Sequence, residues 1–235
     1  MSRQTRAQRG LPFVFVNMAM TADGKIATAN RRVASFGSPY DQTHLLRLRA
    51  EADAVMVGAG TVNAEPINLG PGSAQFRRLR LKGGRTEYNL RVIVSGTGSV
   101  DPGAEVFRHH FSPTLVLVSD RIPRTRLKRL KAVADEVIIC GHKEIDFPQA
   151  LRWLKKDWGV QRLLCEGGGE LNAALFAAGL VNELHLTLCP KIFGGRLAPT
   201  IAEGRGVARL ADATRLALCS VKRVGDELYL VYRVR

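Results

Sequence analysis

Residues 165–172 read CEGGGELN, three glycines and two carboxylates between an apolar run (160–165) and an apolar helical pattern (171–180). Glycine loses more conformational freedom on ordering than any other residue. Three in succession therefore mark a backbone that turns tightly or is approached closely. Two readings stand: a strand-to-helix turn, or an anion cradle in which bare N–H groups and a helix N-terminus face a phosphate. A carboxylate repels phosphate, so on the second reading Glu166 faces a substrate. A companion lies in AVMVGAGTV, a buried strand pattern that ends in Gly58 and Gly60 and is followed by Thr61. Ligands of open α/β sheets collect at the carboxyl ends of strands, and two glycine-rich ends together favour a nucleotide. GAGTVN carries Asn where a third glycine belongs, and no phosphate-loop motif occurs, so neither standard dinucleotide fingerprint is met.

Other chemistries are disfavoured. Four cysteines at 140, 165, 189 and 219 form no C-x-x-C pair, and three of them sit in or at the end of apolar runs. They read as small hydrophobes in a reducing cytoplasm rather than as disulfides or zinc ligands. The five histidines lack metal-site spacing, and His185 lies on the polar side of an alternating strand. No apolar run approaches the ~20 residues that span a bilayer. The net charge of +14 concentrates in RQTRAQR, FRRLRLKGGR, RIPRTRLKRLK and RWLKK. These runs lack interleaved aromatics, which makes nucleic acid an unlikely partner and leaves anionic metabolites as the better match.

The elements that must position these residues alternate between strand and helix, which predicts an α/β fold with a largely parallel sheet. Strands are expected at 12–20, 53–58, 89–95, 114–119, 135–140 and 160–165. A helix starts at Ser38-Pro39, with Asp41 completing a capping box. Asp146 caps another helix over DFPQALRWLKKDW. NELHLTLCP then alternates, and TRLALCSVKRV-GD-ELYLVYRV reads as a hairpin turned at Gly225-Asp226. The sheet is thus mixed, with antiparallel strands at the C-terminal end and helices on both faces. Residues 68–88 are expected as the longest irregular stretch. Residues 1–11 read as a flexible basic tail and 12–235 as one domain.

The ordered set VNMAMTADGKIAT, SPYDQTHLLRLRAEADAVMVGAGTVNAEP and LLCEGGGELNAALFAAGLVNELHLTLCPKIFGG resembles the pyrimidine reductases of riboflavin biosynthesis. These share the dihydrofolate-reductase fold. The likeness runs from about residue 12 to the C-terminus, weakest over 70–135, and no cytidine-deaminase zinc motif precedes it. It implies NADPH-dependent reduction of the ribosyl group of an aminopyrimidine 5′-phosphate to a ribityl chain, by a homodimer. It also implies roles. Thr61, Glu65 and the segment Gly168, Gly169, Glu170, Leu171, Asn172 would hold the cofactor. Glu166, Arg49 and Asn17 would reach the substrate, and Leu69 would pack beside it.

Two departures bear on the substrate. Gly72 stands where the family places an arginine for the substrate phosphate, which leaves Arg77, Arg78, Arg80, Lys82 or Arg85 as replacements. VIVSGTG replaces a strand ending in aspartate-serine. Asn17 is either a satisfied core amide or the reader of an amino-pyrimidinone edge, because an amide both donates and accepts. A proton donor is optional for NADPH chemistry. Asp23 and Glu166 are the candidates, against readings as turn former and helix cap. Two alternatives stay open: the same fold reducing another pterin-like or carbonyl substrate, and a non-catalytic basic nucleotide- or nucleic-acid-binding module.

Overall fold

The computed structural model describes residues 10–31 and 36–235. The expected tail, 1–11, lies outside them except for its last two residues. Of these Leu11 is buried, and its carbonyl accepts a hydrogen bond from Lys155 Nζ at 2.8 Å. The chain forms two compact units, each built from two separate stretches.

Among the described residues, the first unit comprises 10–13 and 46–164. Its strands are β2 (Ala54–Gly58), β3 (Leu90–Val94), β4 (Thr114–Val118), β5 (Glu136–Ile139) and β6 (Arg162–Cys165), in the order β5-β4-β3-β2-β6. From β2 to β5 each strand pairs in parallel with the next. A parallel strand covered on both faces should be apolar throughout, and all five residues of β4, TLVLV, are buried. Asp53, just before β2, accepts from the backbone N–H of Gln161 (2.9 Å) and Arg162 (2.8 Å) and so ties the entry of β6 to that of β2.

Helices supply the crossovers. α2 (Ala59–Ala64), α3 (Ala74–Lys82), α4 (Glu105–Arg108), α5 (Arg124–Lys131) and α6 (Phe147–Asp157) follow their strands in turn. Asp146 caps α6 as expected, its Oδ1 accepting from Gln149 N–H at 2.9 Å. Leu151 and Leu154 are fully buried, each stabilising by about 2 kcal/mol. α3 corrects the sequence reading, since the stretch expected to be irregular contains a nine-residue helix. Its pattern was hidden because one of its two inward residues is a charged one, Arg80, beside Phe76.

Among the described residues, the second unit comprises 14–31, 36–45 and 165–235. Its strands are β1 (Phe13–Thr21), β7 (Glu183–Cys189), β8 (Leu216–Val224) and β9 (Glu227–Val234), ordered β1-β7-β9-β8. β1 and β7 are parallel, whereas β7/β9 and β9/β8 are antiparallel. The hairpin turns at Gly225 (φ +59°) and Asp226, as the sequence indicates. α7 (Gly169–Ala177) also belongs here, and α1 (Pro39–Glu51) starts in this unit and ends in the first.

The start of α1 shows why its cap was only half legible. Ser38 Oγ accepts from Asp41 N–H at 3.3 Å, the expected half of a capping box. The reciprocal bond is absent, because Ser38 N–H donates to Glu227 Oε1 at 2.8 Å. The Asp41 carboxyl bonds the Thr187 hydroxyl on β7 instead. A carboxylate from β9, far along the chain, has displaced the local one.

Candidate active site

The glycine stretch adopts the geometry its composition implies. Gly167 has φ +77°, and a Cβ there would stand 2.7 Å from Met18 Sδ on β1. Gly168 is the N-cap of α7 and, lacking a side chain, offers no acceptor to the first-turn N–H groups. The Gly167–Gly168 peptide is cis. At Gly169 a Cβ would meet Thr200 O at 2.5 Å and Glu203 Cγ at 2.7 Å. The glycines therefore serve close approach to neighbouring segments and leave a helix N-terminus whose cap is bare backbone. Such an end complements an anion through its oriented N–H groups and the helix dipole.

Asn172 holds this shape. Fully buried, it donates from Nδ2 to Ile201 O at 2.8 Å and accepts from Cys165 Sγ at 3.5 Å. Its backbone N–H donates to Gly168 O at 3.0 Å. Leu171 is buried as well, while Glu170 is exposed on the first turn. Of the five residues expected to hold a cofactor here, Leu171 and Asn172 have side chains committed to the protein. Burial pushes the Cys165 thiol up to about 12, so it is an inert packing group.

The 198–203 segment was not anticipated as part of the site. It walls Gly169 and also anchors the DGKIA motif: Lys25 bridges Thr200, Ile26 N–H donates to Pro199 O at 2.9 Å, and Lys25 Nζ reaches Ala198 O at 3.2 Å. Two sequence motifs that read as independent thus share one wall. Nothing in the periodicity of that segment signals this. Of the two readings of Asp23, the turn former is the one its contacts match. Its carboxylate accepts from the Thr21 hydroxyl (2.6 Å), Gly194 N–H (2.7 Å) and Phe193 N–H (3.2 Å), and these bonds, the Thr21 one foremost, hold it below the usual range. It is a turn staple.

Asn17 and Met18 are successive on β1, so their side chains leave opposite faces of the sheet. Met18 packs on the glycine loop, and Asn17 shares the other face with its register partner His185 on β7. Asn17 Oδ1 is buried with no hydrogen-bond partner, as is His185 Nδ1, whereas His185 Nε2 lies 2.7 Å from Glu183 Oε1. Buried polar atoms are rarely left unmet in native proteins, so both atoms have hydrogen-bonding capacity to spare. Glu166 lies half-buried between Cys165 and Gly167.

The remaining expected residues lie in the first unit. Arg49 is buried, donating from Nη1 to Gly70 O at 2.8 Å, and so shapes the loop after α2. Leu69 is fully buried in the left-handed region (φ +60°), a costly conformation held by Asn89 Nδ2 donating to Leu69 O at 2.9 Å. Thr61 lies on α2. Glu65 ends that helix. Its Oε1 is buried and unpartnered, and desolvation raises its carboxyl above the ordinary range.

The five cations proposed in place of an arginine at 72 separate clearly. Arg80 is fully buried, donating to Arg49 O (2.8 Å), Thr86 O (3.0 Å) and Ala52 O, and burial lowers it to about 10. Arg77 pairs with Glu87 at 2.9 Å and Arg85 with Asp53 at 3.3 Å. Arg78 and Lys82 are left exposed. Gly72 has φ +83° and Leu46 Cδ2 3.0 Å from a would-be Cβ, so an arginine there would be strained. Among the described residues no group of three or more His, Cys, Asp or Glu could hold a metal, and no helix is long and apolar enough to cross a membrane.

Residues 12–230 match the family described as the RibD C-terminal domain. The chain belongs to that family. A 2,5-diamino-6-ribosylamino-4(3H)-pyrimidinone 5′-phosphate reductase from Archaeoglobus fulgidus is 35% identical over 215 residues, covering 92% of this chain and 94% of that protein. A pyrimidine reductase-like protein from Corynebacterium diphtheriae superposes with a TM-score of 0.77 at 23% identity, covering 99% and 96% of the two chains. Dihydrofolate reductase from Enterococcus faecalis superposes at 0.50 with 13% identity, covering 94% and 96%. The RibD C-terminal fold is thus the dihydrofolate-reductase-like mixed sheet, mostly parallel with antiparallel C-terminal strands. Its riboflavin-biosynthesis members are reductases, and this chain is an oxidoreductase using a nicotinamide cofactor.

Proposed function

We propose that the chain reduces the ribosyl group of 2,5-diamino-6-ribosylamino-4(3H)-pyrimidinone 5′-phosphate to the ribityl form, with NADPH as reductant and as a homodimer. The observation that carries this reading is the bare-backbone start of α7, glycine-capped and fixed by Asn172. Bound NADPH would supply the hydride. The protein's part is to place and orient. The N–H groups of Gly169, Glu170 and Leu171 receive the cofactor's phosphates, and Thr61 and Glu65 keep the cofactor roles the family implies for them. The unmet Glu65 Oε1 suits a ribose hydroxyl, which donates. Glu166, too acidic for a phosphate contact, binds the substrate's sugar or pyrimidine. The unmet Asn17 Oδ1 accepts from a pyrimidine amine, which an edge bearing a carbonyl cannot supply.

Absorbance at 340 nm with purified protein tests this. NADPH oxidation dependent on the diamino-pyrimidinone phosphate is the expected result, and its absence with both that compound and the deaminated uracil form overturns the reading. Gly72 favours a second reading of the substrate only, in which its phosphate contributes little to binding. A kcat/KM on the dephosphorylated compound within about threefold of the phosphorylated one would select it.

A further inference from the structure

Asn17 and His185 are register partners on β1 and β7, so their side chains stand on one face of the sheet, one strand spacing of about 4.8 Å apart. Each brings a buried atom without a hydrogen-bond partner, Oδ1 of Asn17 and Nδ1 of His185. An amide oxygen always accepts. A ring nitrogen takes its role from its sister. His185 Nε2 lies 2.7 Å from Glu183 Oε1, and a carboxylate only accepts, so Nε2 carries the hydrogen. In the neutral ring Nδ1 then presents a lone pair. Two acceptors therefore stand side by side on this face.

The His185 ring is held in that orientation. Its side chain is only 12% exposed. Phe15 meets the ring in an edge contact at 6.0 Å, and His44 of α1 lies against it at 5.9 Å. A flip that exchanged the two nitrogens would cost the bond to Glu183.

We propose, on the reading of the substrate given above, that His185 is a second reader of the pyrimidine, its Nδ1 accepting from the ring N3–H while Asn17 Oδ1 accepts from the 2-amine. The substrate of that reading, 2,5-diamino-6-ribosylamino-4(3H)-pyrimidinone 5′-phosphate, carries an amine at position 2 and a ring hydrogen at position 3. These are adjacent donors on one edge, and two adjacent acceptors are their complement. A carbonyl brought to either acceptor sets lone pair against lone pair, which rejects the wrong edge. The two residues divide the work. The uracil form keeps its N3–H and has a carbonyl in place of the 2-amine. Asn17 thus sets the preference between the two pyrimidines, and His185 adds binding to both. Glu183 is a positioning residue, acting through the hydrogen it keeps on Nε2.

NADPH oxidation with each pyrimidine tests this in two variants. His185→Phe keeps a ring against Phe15 and His44 and removes the acceptor. His185→Asn gives up the ring but places an amide oxygen close to the position of Nδ1. For His185→Phe, kcat/KM should fall about tenfold or more on both pyrimidines, with the ratio between them and the Kd for NADPH within about threefold of the parent. His185→Asn should recover most of that loss. A residue kept for packing alone gives the reverse order, with Asn the more damaging change, and that order overturns the role. So does a folded His185→Phe that loses nothing, or one that loses only the preference. A parent inactive on both pyrimidines overturns the substrate reading and this role with it. The unsubstituted protein supplies a measurement that misfolding cannot confound. Its His185 Nδ1 should give the 15N resonance of a lone-pair nitrogen and move upfield when the diamino-pyrimidinone phosphate is added without NADPH. A hydrogen already on Nδ1, or a resonance the ligand leaves in place, refutes the contact.

Discussion

At the scale of residues, the informative atoms are the unmet ones. Asn17 was open to two readings from sequence, and the buried, unpartnered Oδ1 favours ligand recognition over a satisfied core amide. Sites built around a specific polar partner discriminate strongly against analogues lacking it. Relative kcat/KM should therefore favour the diamino-pyrimidinone phosphate over the uracil form by about 100-fold or more, and Asn17→Leu should erase that preference. Equal values in the parent protein would refute the role. Arg80 teaches the opposite lesson. Its place in a basic run suggested phosphate binding, yet three carbonyls take its Nε and Nη1 donors inside the first unit, and only Nη2 is left unmet. Arg80→Met leaves those carbonyls unmet and should lower stability by about 2–4 kcal/mol, measured by urea unfolding, without altering substrate KM. Sequence shows charge but not the fold partners that claim it.

At the scale of elements, strands with continuous apolar runs and the cap of α6 were legible because their signals are local. What escaped was decided by distant residues. α3 hides behind an inward arginine, the wall at 198–203 has no period, and Asp41 loses its capping partner to Glu227. That last exchange has a pH signature. Burial alone would raise Glu227, but bonds from Ser38 and Tyr229 outweigh it and hold the carboxyl below its ordinary value. A depressed folded-state pKa gives stability that is present above the unfolded value, near 4.5, and lost as pH falls through the folded one. Asp41 is raised, by burial first and then by Glu227, so its ionisation opposes folding as pH rises above its unfolded value. Glu227→Gln should therefore flatten the loss of thermal stability below pH 4.5, and Asp41→Asn should raise stability at neutral pH. An unchanged acid limb in the first variant would show that Glu227 is not the group being titrated. In the glycine loop, Gly169→Ala places a methyl 2.5 Å from the backbone of Thr200. Overpacking of this kind costs about 1–3 kcal/mol, and a displaced α7 start should raise the Kd for NADPH at least tenfold by fluorescence titration.

For the whole molecule, the +14 charge is the property that composition shows most openly and explains least. Part of it belongs to helix faces, as the exposed Lys128 and Arg129 of α5 illustrate. Part is spent on structure, as in Arg80 and Arg91, both buried and lowered to about 10 by desolvation. The remainder forms a positive field around a protein whose proposed cofactor and substrate both carry phosphate. Such a field raises encounter rates with anions and fades as the screening length shrinks from about 10 Å at 0.1 M salt to about 3 Å at 1 M. Over that range kcat/KM should fall at least severalfold while kcat stays level, because screening acts on encounter and not on bound geometry. Salt should also raise the melting temperature of the ligand-free protein, since it relieves self-repulsion among like charges. If kcat/KM is flat with salt while the melting temperature rises, the surface charge acts on the fold alone and anion capture is local to the start of α7. If both respond, the field is part of how the enzyme finds its substrates.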